Sequence, residues 1–198
     1  MQMLLNEKFK GTRIILGSGS PRRRELLAGL GLDFTVEPQT SFVENNEANL
    51  PTAEIAEYMA KGKSFGHRAL ADDELLITSD TIVLIPDMDL VLGKPADRSD
   101  AIAMLESLSG RKHVVETGVC IRTNRKCVSF TAFSDVYFKP LTREEIEYYV
   151  DHFRPYDKAG SYGVQEWMGY AGITKIEGSF YNVMGLPVQR LYDELMKF

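Results

Sequence analysis

The sequence of 198 residues has two cysteines, no long hydrophobic run and no excess of positive charge, and each shortage excludes a class of protein. Two cysteines are too few for a disulfide-held secreted scaffold, so we expect Cys120 and Cys127 to be reduced thiols flanking a turn. No apolar run approaches the ~20 residues that span a membrane, and the run at residues 3–5 is too short for a signal peptide. A formal net charge of -5 does not suit a protein that coats nucleic acid or a membrane surface. We therefore expect a cytoplasmic protein with no nucleic-acid or membrane partner.

The composition is that of a globular domain with a hydrophobic core. Hydrophobic residues make up 44% of the chain and charged residues 26%. The sequence has no internal repeat, no low-complexity tract and no linker. We therefore expect one domain over residues 1–198.

Strand-like and helix-like segments alternate in the first half of the chain, and a hairpin pattern follows. Pro21 suits the first position of a helix that Ser20 caps, and Thr142 with Glu145 forms a capping box for a later helix. This order predicts an α/β fold with a mixed sheet. The predicted strands are 13–16, 33–37, 75–85, 90–92, 113–123, 126–138 and 173–176, and the predicted helices are 21–30, 51–70, 100–109, 143–152 and one from Pro187 onward.

The segment GSGSPRRR, residues 17–24, combines the features of an anion site. Its glycines allow a sharp turn, its serines carry hydroxyl groups, and the helix start supplies free N–H groups at the positive end of the helix dipole. Three arginines follow, and a guanidinium binds phosphate through two parallel hydrogen bonds. The segment predicts a phosphate site, and the alternative is a capped helix with solvated arginines. It is not a Walker loop, because the Gly-Lys-Ser/Thr ending is missing.

Asp80 is an acidic residue inside the strongest predicted strand. Burying a carboxylate there costs free energy unless the group has a partner or a task. Such a carboxylate can hold a metal ion or accept a proton from water. The alternative is an aspartate at a strand end that caps a turn.

Four further residues are weaker candidates. Lys63 is predicted on the inward side of a helix, and Lys94 stands between a glycine and a proline after an apolar strand. Either lysine is equally compatible with a surface position. Gln165 ends the segment DKAGSYGVQ and could read a base edge with its paired donor and acceptor, or belong to an ordinary loop. Glu44 is one of several acids in its loop.

Five short segments, taken in order, resemble the Maf family of nucleoside triphosphate pyrophosphatases. They are SGSPRR (18–23), SDT (79–81), GKP (93–95), DKAGSYGVQ (157–165) and NVMGLP (182–187). Together they are much more specific than any one alone. The resemblance implies a Maf/ITPase-like fold, in which helices flank an elongated mixed β-sheet and a central cleft separates two lobes.

The resemblance also implies an activity and a set of site residues. The activity is cleavage between the α- and β-phosphates with a divalent metal such as Mg²⁺, Mn²⁺ or Co²⁺. Asp80 matches the catalytic carboxylate, which activates water or holds the metal. The remaining matches are Ser18, Arg22, Lys63 and Lys94 as phosphate-binding groups, with Lys61 as the near alternative to Lys63, and Glu44 as the acidic residue on the metal side.

The same resemblance narrows the substrate. Arg23, Thr81 and Gln165 fit the branch that looks like dTTP/UTP pyrophosphatases, whereas the sister branch prefers 7-methyl-GTP. The pair Glu166-Trp167 departs from the family pattern, in which a glycine is commoner there. Members of the family are often homodimers. The competing hypotheses are the 7-methyl-GTP activity, a non-enzymatic nucleotide-binding regulator of cell division, and a phosphatase that releases single phosphates.

Overall fold

The computed structural model describes residues 4–43 and 50–198, which form a mixed seven-stranded sheet with helices around it. The strands are β1 (Arg13–Leu16), β2 (Phe34–Val36), β3 (Glu74–Ile85), β4 (Leu90–Leu92), β5 (Lys112–Arg122), β6 (Cys127–Phe138) and β7 (Ile173–Glu177). The helices are α1 (Leu4–Lys8), α2 (Pro21–Ala28), α3 (Thr52–Phe65), α4 (Arg98–Leu108), α5 (Arg143–Phe153), α6 (Trp167–Ala171), α7 (Phe180–Met184) and α8 (Val188–Lys197).

The strand order is β2-β1-β3-β5-β6-β7, and β4 also pairs with β3. Strand β1 is parallel to both β2 and β3, whereas β4 is antiparallel to β3 and β7 is antiparallel to β6. Strands β5 and β6 are joined by a tight turn, closed by a 2.8 Å hydrogen bond from the Thr123 N–H to the Lys126 carbonyl. The predicted α/β class with a mixed sheet is confirmed.

The chain divides into two compact units. Unit 1 comprises residues 1–80, 117–132 and 185–198, and unit 2 comprises residues 81–116 and 133–184. Three of the four boundaries fall inside β3, β5 and β6, so each of these strands contributes residues to both units. The prediction of a single domain with two lobes and a cleft stays a prediction.

Helix α3 packs unusually close to the strands of unit 1. A Cβ atom added to Gly118 of β5 would lie 2.1 Å from the carbonyl oxygen of Ala56, so only glycine lets the helix backbone approach this strand. The hydroxyl of Thr78 on β3 donates a buried 2.7 Å hydrogen bond to the carbonyl oxygen of Ala60. These two contacts fix the position of the helix along the strands.

Side chains hold the same helix at both ends. The Arg122 guanidinium donates to the Ser64 hydroxyl at 3.0 Å and to the Ser64 carbonyl at 2.7 Å. Near the other end, the Glu57 carboxylate accepts a 2.6 Å hydrogen bond from Ser129. Helix α3 is therefore fastened to β3, β5 and β6 along its length.

The core of unit 2 packs α4 and α5 against β3, β4, β5 and β6. Leu105, Leu108, Tyr149 and Val150 are fully buried there, and each such side chain contributes roughly 1.5–3 kcal/mol to folding. Helix α5 begins with the predicted capping box, in which Thr142 is the N-cap. That prediction is confirmed.

Helix α3 ends five residues earlier than the sequence predicts, at Phe65 instead of Leu70. The segment at residues 40–42 covers the end of the helix, since a Cβ atom on Gly66 would lie 2.6 Å from the Phe42 nitrogen. The Gly66 carbonyl accepts its hydrogen bonds from the backbone and side chain of Ser41. A long-range contact thus replaces the next turn of helix.

The structure also contains short helices that the sequence pattern did not predict, namely α1, α6 and α7. Helix α1 covers a segment in which only an apolar run was noted, and it buries Leu5. Within the described residues no helix has both the length and the apolar character needed to cross a membrane.

An ion-pair cluster at the start of β3 gives a test of acid stability. The buried Glu74 carboxylate accepts hydrogen bonds from the Arg68 guanidinium at 2.6 and 2.9 Å, from the Ala71 N–H at 3.0 Å, and from Arg13. The Arg68 hydrogen bonds, followed by that of Ala71, lower the pKa of Glu74 to about 2. A carboxyl whose pKa is depressed on folding stabilises fully above its unfolded pKa, and that stabilisation is lost as the pH falls towards the folded value.

We therefore expect Glu74→Gln to lower the free energy of unfolding at pH 7 by roughly 1–3 kcal/mol. The difference from wild type should shrink between pH 4.5 and pH 2, because wild-type Glu74 becomes protonated there. Urea unfolding at pH 7, 4 and 2.5 measures this, with Glu106→Gln as the control on an exposed ion pair. An equal loss at all three pH values would contradict the assignment.

Candidate active site

The turn after β1 is held directly against β3. The Gly17 N–H donates a 2.8 Å hydrogen bond to the carbonyl oxygen of Ile77. A Cβ atom on Gly17 would lie 2.7 Å from the Thr78 Cγ2 atom and 3.1 Å from the Leu76 Cδ1 atom. Glycine is needed here because a larger residue would push the turn away from β3.

Residues 18–23 fold into the predicted strand–turn–helix arrangement. Ser20 caps α2 by accepting a hydrogen bond from the Arg23 N–H, and Pro21 is the first helical residue. The Arg23 side chain donates to the buried Ser18 hydroxyl at 3.4 Å and to the Gly185 carbonyl at 2.9 Å. Arg22 is half-buried in the first turn of α2. A surface pocket of about 320 Å³ opens beside the turn and is lined by Ser18, Gly19, Ser20, Pro21, Arg24, Glu25, Ala28 and Val36.

Asp80 lies in the middle of β3, which continues without a break through the polar residues 78–81. The alternative of a strand-end aspartate that caps a turn is therefore wrong. Asp80 shares a face of the strand with Thr78, because side chains alternate along a strand. That face carries the contact between Thr78 and α3.

The ammonium group of Lys63 contacts the Asp80 carboxylate in a direct ion pair. Both side chains are largely buried, with 19% of Lys63 and 15% of Asp80 exposed. The neighbouring Lys61 is 46% exposed and pairs with Glu57 at 3.4 Å. Of the two lysines, Lys63 is thus the one that the structure brings to Asp80.

The turn and the carboxylate belong to the same unit. Gly17 lies beside Ile77, and Asp80 is three residues further along β3, on the order of 10 Å at the usual rise of a strand. Ser18, Arg23, Lys63 and Asp80 are thereby gathered in unit 1.

Three further predicted residues belong to unit 2. Thr81 is half-buried in β3 and Lys94 is exposed after β4. The carbonyl oxygen of Gly93, next to Lys94, accepts a 3.0 Å hydrogen bond from the Gly160 N–H. Gln165 is half-buried, and its Oε1 atom is buried with no hydrogen-bond partner among the described residues.

Glu44, the predicted residue on the metal side, lies outside the described residues, so its role stays a prediction. Within residues 4–43 and 50–198, no three His, Cys, Asp or Glu side chains form a group that could hold a metal ion. Asp80 is the predicted metal-binding carboxylate that the structure describes. Its role also stays a prediction.

Sequence reasoning missed a polar cluster next to Gln165. The Glu166 carboxylate lies 3.1 Å from the Lys158 ammonium group and accepts a hydrogen bond from the Tyr149 hydroxyl. Only 9% of the Lys158 side chain is exposed. The unusual density of charges and glycines in residues 157–166 was the available signal, but Tyr149 lies far from it in sequence.

Glu116 is a second buried carboxyl that the sequence pattern did not single out. It lies in β5, and its Oε2 atom has no hydrogen-bond partner in the described part of the chain. Burial raises the pKa of Glu116 to about 7.

A glycine-serine turn that leads from a strand into the start of a helix, with arginines in that helix, is typical of anion sites in α/β proteins. The sequence model of the Maf-like protein family matches residues 13–198. The chain belongs to this family, so the predicted resemblance is confirmed.

Similar proteins cover nearly the whole chain. A protein of Bacteroides thetaiotaomicron named dTTP/UTP pyrophosphatase is 54% identical over 186 residues, which is 93% of this chain and 95% of that protein. A protein of the same name from Parabacteroides distasonis is 52% identical over 193 residues, which is 97% of this chain and 99% of that protein. A third, from Porphyromonas gingivalis, is 48% identical over 195 residues, which is 97% of each chain.

The contact between Gly17 and β3 can be tested by adding one methyl group. We expect Gly17→Ala to lower the free energy of unfolding by roughly 1–3 kcal/mol, because the new Cβ atom overlaps Thr78. Gly19→Ala is the matched control, since among the described residues its Cβ atom would meet Pro38 Cβ alone, at an ordinary 3.7 Å. Thermal and urea unfolding compare the two variants, and equal stability would show that the turn tolerates a side chain at both positions.

Proposed function

We propose that this protein hydrolyses dTTP, UTP and modified pyrimidine nucleoside triphosphates to the monophosphate and pyrophosphate. The observation that carries the proposal is the Lys63–Asp80 ion pair beside the arginine-bearing turn in unit 1. The names of the relatives at about half identity support the same activity. The reaction consumes one water and breaks the bond between the α-phosphorus and the bridging oxygen.

The charged residues suit a triphosphate tail. Such a tail carries about four negative charges, so catalysis consists largely of positioning and charge stabilisation. The turn offers the Ser18 hydroxyl and the Arg22 and Arg23 guanidinium groups, and we assign Lys63 and Lys94 to the same task. Lys63 gives up its contact with Asp80 in favour of a phosphate oxygen when substrate binds.

When Lys63 binds a phosphate oxygen instead, the Asp80 carboxylate no longer has its ion-pair partner and can take part in the reaction. The freed carboxylate accepts a hydrogen bond from the attacking water or holds the metal. General base catalysis of this kind typically contributes about 100- to 10,000-fold in rate. A carboxylate that is already largely buried acts in a low-dielectric setting, where its interaction with a charged partner is stronger than in water.

A divalent metal such as Mg²⁺, Mn²⁺ or Co²⁺ fits these residues. Mg²⁺ is commonly held by one or two carboxylates together with substrate phosphates, so the absence of a three-residue cluster within the described ranges is no obstacle. Asp80 would hold it, with Glu44 as the second predicted ligand. When bound, the metal offsets phosphate charge.

Thr81 and Gln165 are assigned to the nucleoside. The carboxamide oxygen of Gln165 can accept a hydrogen bond from the N3–H group of uracil or thymine. The amide NH₂ group of the same side chain donates to a neighbouring carbonyl of the base. The N1–H and O6 groups of 7-methylguanine offer the same adjacent donor and acceptor, so the names of the relatives are what favours the pyrimidine activity over the 7-methyl-GTP activity.

The remaining features of the proposal concern the cellular setting. We place the protein in the cytoplasm, where nucleoside triphosphates are made and used, and expect a homodimer.

A non-enzymatic regulator of cell division would bind nucleotide without metal-dependent release of product. A phosphatase would release orthophosphate from the same substrates.

The central test combines product identification with one substitution. We expect the wild-type protein to release UMP and pyrophosphate from UTP with Mg²⁺, Mn²⁺ or Co²⁺, and to be slower on 7-methyl-GTP. Asp80→Asn removes the negative charge and should lower kcat about 100-fold or more while keeping the fold. Chromatography of nucleotides and separate assays for pyrophosphate and orthophosphate measure both effects.

Asp87→Asn is the matched control, because Asp87 is exposed just beyond the end of β3. It should keep the wild-type rate. A wild-type rate in Asp80→Asn would refute the role of Asp80, and orthophosphate as the product would favour the phosphatase.

A further inference from the structure

We propose that Glu166 is a positioning residue for Gln165, fixing the part of unit 2 that selects the base. This inference rests on the proposed function and adds a determinant of specificity to it. Glu166 does not touch the substrate in this proposal. It acts through the turn that carries Gln165.

Gln165 is a central residue of a four-residue turn, residues 163–166. The Glu166 N–H donates a 3.1 Å hydrogen bond to the Gly163 carbonyl, which is the bond that closes a β-turn. The central residues of such a turn have their backbone angles fixed by it. The direction of the Gln165 side chain therefore depends on how firmly this turn is held.

Tyr149 of α5 fastens both ends of that turn. Its hydroxyl oxygen accepts a 2.9 Å hydrogen bond from the Gly163 N–H, and its hydroxyl proton is donated to the Glu166 carboxylate. The ring of Tyr149 is fully buried in the core of unit 2, and burial raises its pKa, so the hydroxyl stays protonated. A rigid aromatic side chain thus connects the first and last residues of the turn.

The same carboxylate folds back over the turn. A Cβ atom on Gly163 would lie 2.8 Å from the Glu166 Cδ atom and 3.0 Å from its Oε2 atom. Glycine at residue 163 leaves the space that the carboxylate occupies. The turn and the carboxylate are therefore fitted to each other.

The other carboxylate oxygen of Glu166 extends the connection to Lys158. The Lys158 ammonium group lies 3.1 Å from Glu166 and 2.7 Å from Asp157, and 9% of the lysine side chain is exposed. Two residues further on, the Gly160 N–H bonds to the Gly93 carbonyl at 3.0 Å. One loop thereby carries Gln165, held at its end by Glu166 and held separately at Gly160 by the backbone of Gly93.

A fixed turn matters because a carboxamide that can rotate discriminates poorly between uracil and cytosine. Rotated by half a turn, the Gln165 amide offers cytosine the complementary donor and acceptor. Selection of uracil over cytosine requires the side chain to be held in one placement. Sites that bind through hydrogen bonds reject a mismatched ligand only when their own groups cannot rearrange.

The experiment compares UTP with CTP in Glu166→Gln and Tyr149→Phe. In Glu166→Gln the amide cannot accept hydrogen bonds from both Tyr149 and Lys158, because its NH₂ group only donates. Tyr149→Phe removes one oxygen and leaves the ring. We expect the ratio of kcat/KM for UTP to that for CTP to fall roughly 5- to 10-fold in each variant, mainly through a higher KM for UTP.

Inorganic tripolyphosphate serves as the probe for the phosphate-binding groups. Its inhibition constant should stay within about twofold of wild type, since the turn at residues 17–24 is untouched. The ratio for the two substrates does not depend on the fraction of folded protein, so it remains informative in a destabilised variant.

Glu145→Gln is the matched structural control, because it removes a carboxylate that pairs with Lys139 and caps α5. It should lower stability and leave the ratio unchanged.

Three results would overturn the inference: an unchanged ratio in both variants, an equal fall in Glu145→Gln, or a wild-type protein that hydrolyses UTP and CTP equally well. Release of pyrophosphate from UTP by the wild type separates these results from a failure of the proposed function. Were no triphosphate hydrolysed at all, the proposed function would fail, and this inference would fail with it.

Discussion

The close approach of α3 to the strands of unit 1 is the constraint on which the candidate site depends. A glycine on β5 allows the backbone of the helix to reach the strand, and a threonine on β3 bonds to a carbonyl of the helix. These contacts allow the helix a single position along its axis and a single rotation about that axis. Because Lys63 stands one turn beyond Ala60, this placement directs its ammonium group to Asp80.

The ion pair that results offsets the cost of burying both charges in the absence of ligand. A largely buried carboxylate with no partner would cost several kcal/mol, so Lys63 makes an acidic residue tolerable in the middle of a strand. In the proposed reaction, both groups become available at the same time. When a phosphate oxygen attracts the Lys63 ammonium group, the Asp80 carboxylate loses its partner. Stability and proposed reactivity therefore involve the same pair of side chains.

Local rules explain which parts of the fold could be predicted from the sequence. The caps at Ser20 and Thr142 depend on residues within one helical turn, and both were predicted correctly. The end of α3 was not, because it depends on residues 40–42 packing over Gly66. The placement of Lys63 on the inward side of its helix was predicted from local spacing, and it agrees with the ion pair to Asp80, whereas Lys61 pairs with Glu57. The contacts of Glu166 depend on Tyr149, a partner 17 residues away along the chain.

The boundary between the two units passes through the peptide bond joining Asp80 to Thr81, and the chain crosses it three more times. Three of the four crossings lie inside β3, β5 and β6, so each of these strands has residues in both units. No single cut of the polypeptide separates the two units, because segments of unit 1 lie before, between and after those of unit 2. A continuous fragment that holds all of unit 2 also carries residues 117–132 of unit 1, and only the full chain holds all of unit 1, so neither unit can be expressed without part of the other.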